Sequence, residues 1–450
     1  MLQYVSSELN FYIMSRPIYL DKIKTKIENP VILNIIWLSF DKALRIVIAL
    51  GVGVWIARYL GPSQWGELNY VLAIVSILTT VTNLGMDSFL VKSILEKPDQ
   101  KDEILGTAFF TRLFIIPIVF CFAMLFFYIT NAETRTYILF AFLSLNFIIA
   151  PLDLIDLVFQ SKLQSKLTVI SKNTAYIVGA VIKIYLLLSE KSIYWFAAVM
   201  GLETTIAYLL LIYNYQKRYN LLDWQFSKTL VKDLLSTGWP FIIANLTVIL
   251  YMRIDQLMIG SLSGKAELGL FSSAVRITEI FIFIPAAMSS SYLPALVKLK
   301  KEGSNEDFIK RMQVFFNWMV KISIAISIVV SLLSSQIIQL LFGTKFSDAY
   351  QILIIHVWSL IPMFLGVASS QYLVIENLQK YSLYKTFIGL LLNVILNLLL
   401  IPSYGAFGSA LATLLSYFTS AIFSSYFFHS TRLLFNYQIK SFQNLFVFEK

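Results

Sequence analysis

Residues 46–82 read IVIALGVGVWIARYLGPSQWGELNYVLAIVSILTTVT, two apolar blocks separated by the short segment 61–65. An apolar helix of about 20 residues spans the hydrocarbon core of a bilayer, which is about 30 Å thick. Blocks of this length recur about twelve times from Leu33 almost to the end of the chain. We therefore expect an all-α integral membrane protein with about twelve transmembrane helices.

The predicted spans leave only short connections between them. We place them at 33–60, 66–91, 104–130, 136–160, 167–189, 192–215, 236–262, 267–297, 308–341, 349–376, 382–402 and 405–430. The ninth block is too long for one straight span, so it is expected to kink or break near Ser334 and Ser335.

Basic residues indicate the orientation of these spans. With the N-terminus in the cytoplasm, the cytoplasmic segments hold 23 Lys and Arg residues, Lys385 among them, and the opposite side holds four. The rule that cytoplasmic loops are rich in Lys and Arg therefore predicts that both termini are cytoplasmic. The predicted regions are a cytoplasmic lead-in (1–32), a first lobe (33–215), a cytoplasmic linker (216–235), a second lobe (236–430) and a cytoplasmic tail (431–450).

A faint internal duplication supports the division into two lobes. The segment 59–68 joins spans one and two, and the segment 261–270 joins spans seven and eight. Both are compact outer turns with paired glycines, followed by a long helix that ends in a cytoplasmic lysine. Six spans in each half give the two halves the same orientation.

Composition and loop length exclude several classes of protein. The chain is 58% hydrophobic and 14% charged, so its net charge of +10 reflects cytoplasmic loops and no nucleic-acid partner is expected. One cysteine (Cys121) and two histidines predict no internal disulfide, metal or cofactor. No nucleotide-binding G-x-x-x-x-G-K-[ST] motif occurs. The short outer loops leave no room for a catalytic domain, so no enzyme is expected, and a polysaccharide polymerase or ligase is the third choice.

Charged residues within the spans are the candidates for a functional site, because each is costly in hydrocarbon. The basic residues of the first lobe are Arg45, Arg112, Lys172 and Lys183. They predict a cationic cavity for an anionic substrate, since Arg and Lys bind phosphate strongly away from bulk water.

Helical spacing relates some of these charges to nearby residues. Asp41 and Arg45 lie four apart on one face of span one, and Arg276 and Glu279 lie three apart on span eight. Arg253 and Asp255 are two apart and point to different faces. The alternative for each close pair is a structural ion pair that braces the bundle.

Three groups of residues carry a resemblance to a known family. The first is Ala57-Arg58-Tyr59-Leu60-Gly61-Pro62 with Gly66, Gly85 and Lys92; the second is Pro240, Asp255, Gly269-Leu270-Phe271, Ala274, Arg276 and Pro294; the third is Asn397, Ile401-Pro402, Tyr404-Gly405-Ala406, Gly408, Ala410 and Thr413. In order and spacing they resemble polysaccharide-biosynthesis membrane proteins of the O-antigen flippase type.

The resemblance implies a transporter of the multidrug/oligosaccharidyl-lipid/polysaccharide exporter superfamily, with two six-helix lobes that alternate around a central cavity. The implied substrate is an undecaprenyl-diphosphate-linked oligosaccharide, flipped to the periplasmic leaflet of a bacterial inner membrane. A polysaccharide polymerase and a chain-length regulator are possible partners. A cation-coupled drug or small-solute antiporter is the second choice.

Within this interpretation each charged residue has an expected role. Arg45, Arg112, Lys172 and Lys183 are expected to contact the diphosphate, and Arg253 and Arg276 to act as gate or second-lobe contacts. Asp41, Asp255 and Glu279 are candidates for coupling to protons or sodium, or for closing the lobes.

Overall fold

A computed structural model describes residues 30–445, which are almost entirely helical and contain no β-strand in that range. Residues 1–29 of the predicted lead-in and residues 446–450 of the predicted tail lie outside the described residues. Ten helical segments of the described chain are long and apolar enough to cross a membrane.

The described part of the first half contributes eight α-helices. They are α1 (Pro30–Thr82), α2 (Asp87–Glu96), α3 (Lys101–Ile129), α4 (Thr134–Leu143), α5 (Leu145–Ile148), α6 (Leu154–Ser161), α7 (Ser165–Leu188) and α8 (Ile193–Gln216).

The second half contributes ten helices, several of them short. They are α9 (Lys228–Leu262), α10 (Lys265–Ile280), α11 (Phe283–Lys301), α12 (Asn305–Leu332), α13 (Ser334–Phe342), α14 (Ala349–His356), α15 (Leu360–Ile375), α16 (Lys380–Phe418), α17 (Ser424–Phe427) and α18 (Arg432–Gln443). The predicted break in the ninth block is confirmed, because α12 ends at Leu332 and α13 begins at Ser334.

Two of the ten long segments each provide a pair of spans. As one straight rod, the 53-residue helix α1 would be about 80 Å long at about 1.5 Å per residue, far more than a bilayer can cover. It is broken at Gly61, where φ is 74° and ψ is 173°. Helix α16 is broken at Gly405 in the same way, with φ 55° and ψ −137°. Counting these pairs separately gives the twelve predicted spans.

The helices pack into two lobes. In the first lobe, α1 packs on α7 and α7 on α8; in the second, α9 packs on α16 and α12 on α15. Helix α18 lies within the predicted tail and packs on α12, where the rings of Tyr437 and Phe316 stack with centroids 5.9 Å apart. The described part of the tail is therefore a packed element of the second lobe.

The two lobes meet at a seam formed by glycines at the end that the charge distribution predicts to be periplasmic, called here the outer end. A Cβ atom on Gly66 would overlap the carbonyl oxygen of Lys265, and a Cβ atom on Gly269 would overlap that of Pro62. The contact is thus reciprocal, and only glycine allows the backbones to approach so closely.

Backbone conformation at this seam supports the predicted internal duplication. Gly264 has φ 91° and ψ 172°, nearly the values of Gly61. Each of these glycines precedes its seam glycine by five residues, Gly66 in the first half and Gly269 in the second. Both conformations lie in a region that L side chains rarely adopt.

A second interlobe contact lies towards the opposite, inner end of the bundle. The side-chain amide of Asn245 on α9 donates to the carbonyl oxygen of Gly85 at 2.7 Å, and the side chain of Met86 packs against Gly238. The lobes are therefore in contact at both ends on this side of the bundle.

Replacing the seam glycine Gly66 with alanine should force the lobes apart at the outer end. Because the new methyl group meets backbone atoms that cannot rotate away, we expect a loss of about 1–3 kcal/mol of stability. The thermal unfolding midpoint measures this loss. The reaction of a buried Leu268→Cys reporter with a membrane-impermeant maleimide, in a Cys121→Ser background, measures the opening.

Gly51→Ala is the matched control, because a Cβ atom at Gly51 meets nothing within 4 Å. Equal labelling and equal stability in the two alanine variants would show that the seam is not a tight contact.

Candidate functional site

A cavity of about 300 Å³ lies between the lobes and is partly open. Arg45 and Ala49 on α1 and Tyr176 on α7 line its first-lobe side, and Arg276 and Glu279 on α10 line its second-lobe side. Among the predicted site residues, Arg45, Arg276 and Glu279 are thus brought together across the lobe interface.

Arg45 forms the ion pair with Asp41 that the spacing predicts. Its Nε lies 2.9 Å from the Asp41 carboxylate, and its guanidinium carbon lies 5.4 Å from the centre of the Tyr176 ring. The side chain of Arg45 keeps 38% of its surface exposed. Arg45 is therefore held in place by Asp41 and Tyr176, while part of its guanidinium remains available to the cavity.

Arg276 lies against the first lobe and forms no ion pair within residues 30–445. Its Nη2 donates to the carbonyl oxygen of Ala49 at 3.1 Å, and its guanidinium carbon lies 5.5 Å from the centre of the Trp65 ring. Its Nε is buried and has no hydrogen-bond partner among the described residues. Gly53 makes room for this side chain, since a Cβ atom there would come within 2.5 Å of Nη2.

Glu279 forms its ion pair with a neighbouring helix and not with Arg276 on its own helix. Its carboxylate lies 3.7 Å from Nη1 of Arg253 on α9, a long and half-exposed pair. Arg253 is therefore close to the cavity, because its ion-pair partner Glu279 lines the cavity wall. The expected separation of Arg253 from Asp255 on α9 is confirmed, because their side chains find partners on different helices.

The other three basic residues of the first lobe are each paired with carboxylates and do not line this cavity. Lys183 lies 2.7 Å from Glu203 and is buried, 5.6 Å from the centre of the Tyr176 ring on the cavity wall. The other two ion pairs are Arg112 with Asp87 at 2.7 Å and Lys172 with Asp153 and Asp156 at 2.8 and 3.0 Å. Each side chain that was expected to reach the diphosphate beside Arg45 thus has a carboxylate partner, although Nε and Nη1 of Arg112 are buried with no hydrogen-bond partner among the described residues.

This pairing alters the expected charge of the two lobes. The ion pairs of Arg45, Arg112, Lys172 and Lys183 join these four basic side chains to five carboxylates, so they leave no positive excess among them. In the second lobe, the buried or cavity-lining charges are Arg276 and Lys385 against Asp255 and Glu279, and neither basic side chain has a carboxylate within 4.0 Å in the described chain. The unpaired positive charges therefore lie in the second lobe.

Asp255 is the centre of a buried polar cluster within the second lobe. One oxygen of its carboxylate accepts from the Asn397 amide at 2.5 Å, and the other accepts from the Thr413 hydroxyl at 2.7 Å. Asn397 also donates to Asn393 at 3.0 Å. No basic side chain lies within 4.0 Å of this carboxylate in the described part of the chain, so its charge is balanced only by polar groups.

Sequence reasoning missed Lys385, which was counted with the cytoplasmic loops. It lies one turn inside α16 and is 95% buried, and its ammonium donates to the Ala421 carbonyl and the Ser425 hydroxyl. The signal in the chain was weak, because Asn393 and Asn397 indicate a polar interior for this span but do not mark Lys385 itself as buried.

Comparisons with known proteins agree with this fold. The family model for polysaccharide biosynthesis proteins matches residues 31–300, well over half of the chain. The chain belongs to this family. A second model, for MatE proteins, matches residues 240–399.

Relatives of this polysaccharide biosynthesis protein include a curated protein and two solved structures. The capsular polysaccharide biosynthesis protein CapF of Staphylococcus aureus is 25% identical over 391 residues, which cover 83% of this chain and 93% of CapF. The lipid II flippase MurJ in an inward closed conformation has a TM-score of 0.71 at 15% identity, covering 92% of each chain. An inward-facing multidrug resistance transporter of the MATE family also scores 0.71, at 16% identity, and covers 90% of this chain and 99% of its own. These structures establish the transporter fold.

The Lys183–Glu203 ion pair is expected to stabilise the first lobe of the protein. We expect Lys183→Met or Glu203→Met alone to cost about 3–5 kcal/mol of stability, because each leaves an unpaired buried charge. The double variant should recover most of the loss, as measured by thermal unfolding of the purified protein. If the two single losses simply add, the two side chains are not coupled and the bracing role is wrong.

Proposed function

We propose that this protein is a flippase for an undecaprenyl-diphosphate-linked oligosaccharide repeat unit. It would move this lipid from the cytoplasmic to the periplasmic leaflet of a bacterial inner membrane for the synthesis of O-antigen, capsule or exopolysaccharide. A polysaccharide polymerase and a chain-length regulator would act on the product. Membership in the polysaccharide biosynthesis family supports this proposal, as does the likeness to CapF.

The observation that carries the proposal is the pair of guanidinium groups that face one cavity from opposite lobes. Arg45 belongs to the first lobe and Arg276 to the second, and each keeps donor groups that no carboxylate saturates. Arginine binds phosphate through planar, charge-assisted hydrogen bonds that strengthen away from bulk water. A diphosphate in this cavity would therefore interact with both lobes at once.

This geometry provides a physical reason for transport. Sugars and a diphosphate are prohibitively costly to move through hydrocarbon without polar partners. A cavity that is polar inside and partly open keeps the head group in polar surroundings, while the polyprenyl chain remains in the lipid. The glycine seam at the outer end and the inner contact between Asn245 and Gly85 would then open one at a time. Each opening would expose the head group to one side of the membrane.

Removing either cavity arginine should abolish transport. We expect Arg45→Ala and Arg276→Ala to reduce surface glycan at least tenfold in a strain that lacks its own copy of this gene, measured at equal protein levels. Arg45→Lys should be milder than Arg45→Ala, because charge is retained while the planar geometry is lost.

Lys92→Ala is the control, since the Lys92 side chain is 70% exposed at the end of the bundle and away from the cavity. Normal surface glycan with Arg45→Ala at equal expression would overturn the proposed role of the cavity.

Asp255 is our proposed coupling group, because a buried carboxylate surrounded by amide and hydroxyl oxygens can exchange a proton or a sodium ion without leaving a bare charge. In proteoliposomes, wild-type flipping should respond to an imposed proton or sodium gradient, and flipping by Asp255→Asn should not. Asp99→Asn, at an exposed position, is the control. An undiminished response in Asp255→Asn would exclude Asp255 as the coupling group. We assign Asp41 and Glu279 to positioning Arg45 and Arg253.

A cation-coupled drug or small-solute antiporter is the second candidate, favoured by the MatE match over residues 240–399 and by Glu279 on the cavity wall. A deletion strain that became drug-sensitive while keeping its surface glycan would select this function over the flippase.

A further inference from the structure

A second cavity of about 300 Å³ lies inside the second lobe, and Lys385 lines it. Helices α9, α15 and α16 form most of its walls together with Tyr417 and Ser420. Seven of its lining residues carry hydroxyl groups, and aliphatic side chains and the rings of Tyr251 and Tyr417 supply most of the remaining surface. The lining surface is mostly apolar, and the hydroxyl groups of Ser370 and Thr386 donate to carbonyl groups of their own helices. The rings and aliphatic side chains suit the apolar face of a sugar ring, and the Lys385 ammonium suits an anionic substituent on that ring.

Lys385 is distinguished from the basic residues of the first lobe by its partners. Lys183, for example, faces a carboxylate at 2.7 Å, but no carboxylate of the described chain lies within 4.0 Å of the Lys385 ammonium. Its hydrogen bonds go to the Ala421 carbonyl at 3.1 Å and the Ser425 hydroxyl at 2.7 Å. A cation buried in a membrane protein without a counter-ion is costly, and such residues are commonly functional.

The backbone around Lys385 is shaped to hold this ammonium. Residues 419–423 form one turn of π-helix, a distortion that frees carbonyl groups from the regular helical pattern and is frequent at functional sites. The Ala421 carbonyl in this turn accepts from both Lys385 and Gln438. Gln438 belongs to α18, so the last helix of the described chain takes part in fixing the site.

The Lys385 cavity lies next to two other cavities of the bundle. Met252 and Tyr417 line both it and the small cavity that contains Asp255, and Glu279 lines both that cavity and the interlobe cavity. The three cavities are therefore adjacent, separated by side chains that they share.

We propose that the Lys385 cavity binds an acidic sugar of the cargo, with a carboxylate or phosphate substituent as the counter-ion of the Lys385 ammonium. This inference rests on the proposed flippase function and specifies its substrate class as an acidic repeat unit. The diphosphate lies at Arg45 and Arg276, and the anionic substituent of the sugar lies at Lys385. Charge-assisted hydrogen bonds from the ammonium then discriminate against neutral glycans.

The test is the binding of matched sugar probes to the purified full-length protein in phosphatidylcholine nanodiscs, measured by titration calorimetry. Methyl glucuronoside and glucose 6-phosphate are the acidic probes, and methyl glucoside is the neutral probe of the same ring size. We expect the acidic probes to bind at least tenfold more tightly than the neutral one. Lys385→Met should remove this preference and Lys385→Arg should retain most of it.

Lys380→Met is the matched control, because Lys380 is exposed at the start of the same helix. An unchanged acidic preference in Lys385→Met, or equal binding of acidic and neutral probes to the wild-type protein, would overturn the proposal; the second comparison needs no variant to fold. Nanodiscs with phosphatidylglycerol test a lipid head group as the anion. If this lipid stabilises the protein through Lys385 and the sugars do not bind, the assignment to cargo is wrong.

The outcome at Arg45 separates this inference from the proposed function. If Arg45→Ala loses surface glycan, and the protein with Lys385 intact binds the acidic sugars more tightly than the neutral one, both proposals are supported. Loss of glycan in Arg45→Ala with no acidic preference in the wild-type protein leaves the flippase standing and removes only the acidic sugar site.

Discussion

The inability of hydrocarbon to solvate charge is the constraint on which this structure depends. Within the first lobe, each charged side chain that faces the interior has an opposite charge within hydrogen-bond distance, as Lys183 has Glu203. Most of these pairs join separate helices, and they leave no positive charge among the four basic residues without a carboxylate partner. The arrangement makes the first lobe a braced unit, able to move as one body.

The exceptions to this pairing occur where the protein has cavities. Arg276 faces the interlobe cavity and Lys385 faces the cavity of the second lobe, and no carboxylate lies within 4.0 Å of either in the described chain. A positive charge that the protein itself leaves uncompensated is stabilised when an anion arrives. The same interaction energy therefore selects an anionic cargo and lowers the cost of taking its charge into the membrane.

Much of the fold could be predicted from the sequence, because the lengths of the apolar blocks and the positions of the glycines are local properties. The twelve spans and the break before Ser334 followed from block length, and the Asp41–Arg45 pair followed from helical spacing. Spacing along one helix cannot identify a partner on another helix. For that reason Glu279 was expected beside Arg276 and was found beside Arg253, and Lys183 was expected in the cavity and was found with Glu203.

Lys385 shows a second limit of sequence reasoning. A lysine near the end of a span usually extends to the interface, so its position favoured a loop assignment. Its burial depends on a π-turn in the next span and on a glutamine from the last helix, neither of which has a marker at Lys385 itself. The unpaired basic groups of the second lobe are thus a tertiary property. The first lobe seemed more basic because the carboxylate partners of Arg112, Lys172 and Lys183 lie on other helical segments.

The glycine seam has a consequence for how the lobes can separate. At Gly66 and Gly269 main chain meets main chain, and the neighbouring side chains of Leu68, Leu268 and Phe271 are buried. The Lys265 ammonium lies 2.9 Å from the centre of the Tyr70 ring, and the Tyr70 hydroxyl shares a hydrogen bond with Ser261 across the lobes. All of these contacts form between the protein's own groups, so closure at the outer end needs no cargo, and an empty protein is expected to rest with this end sealed.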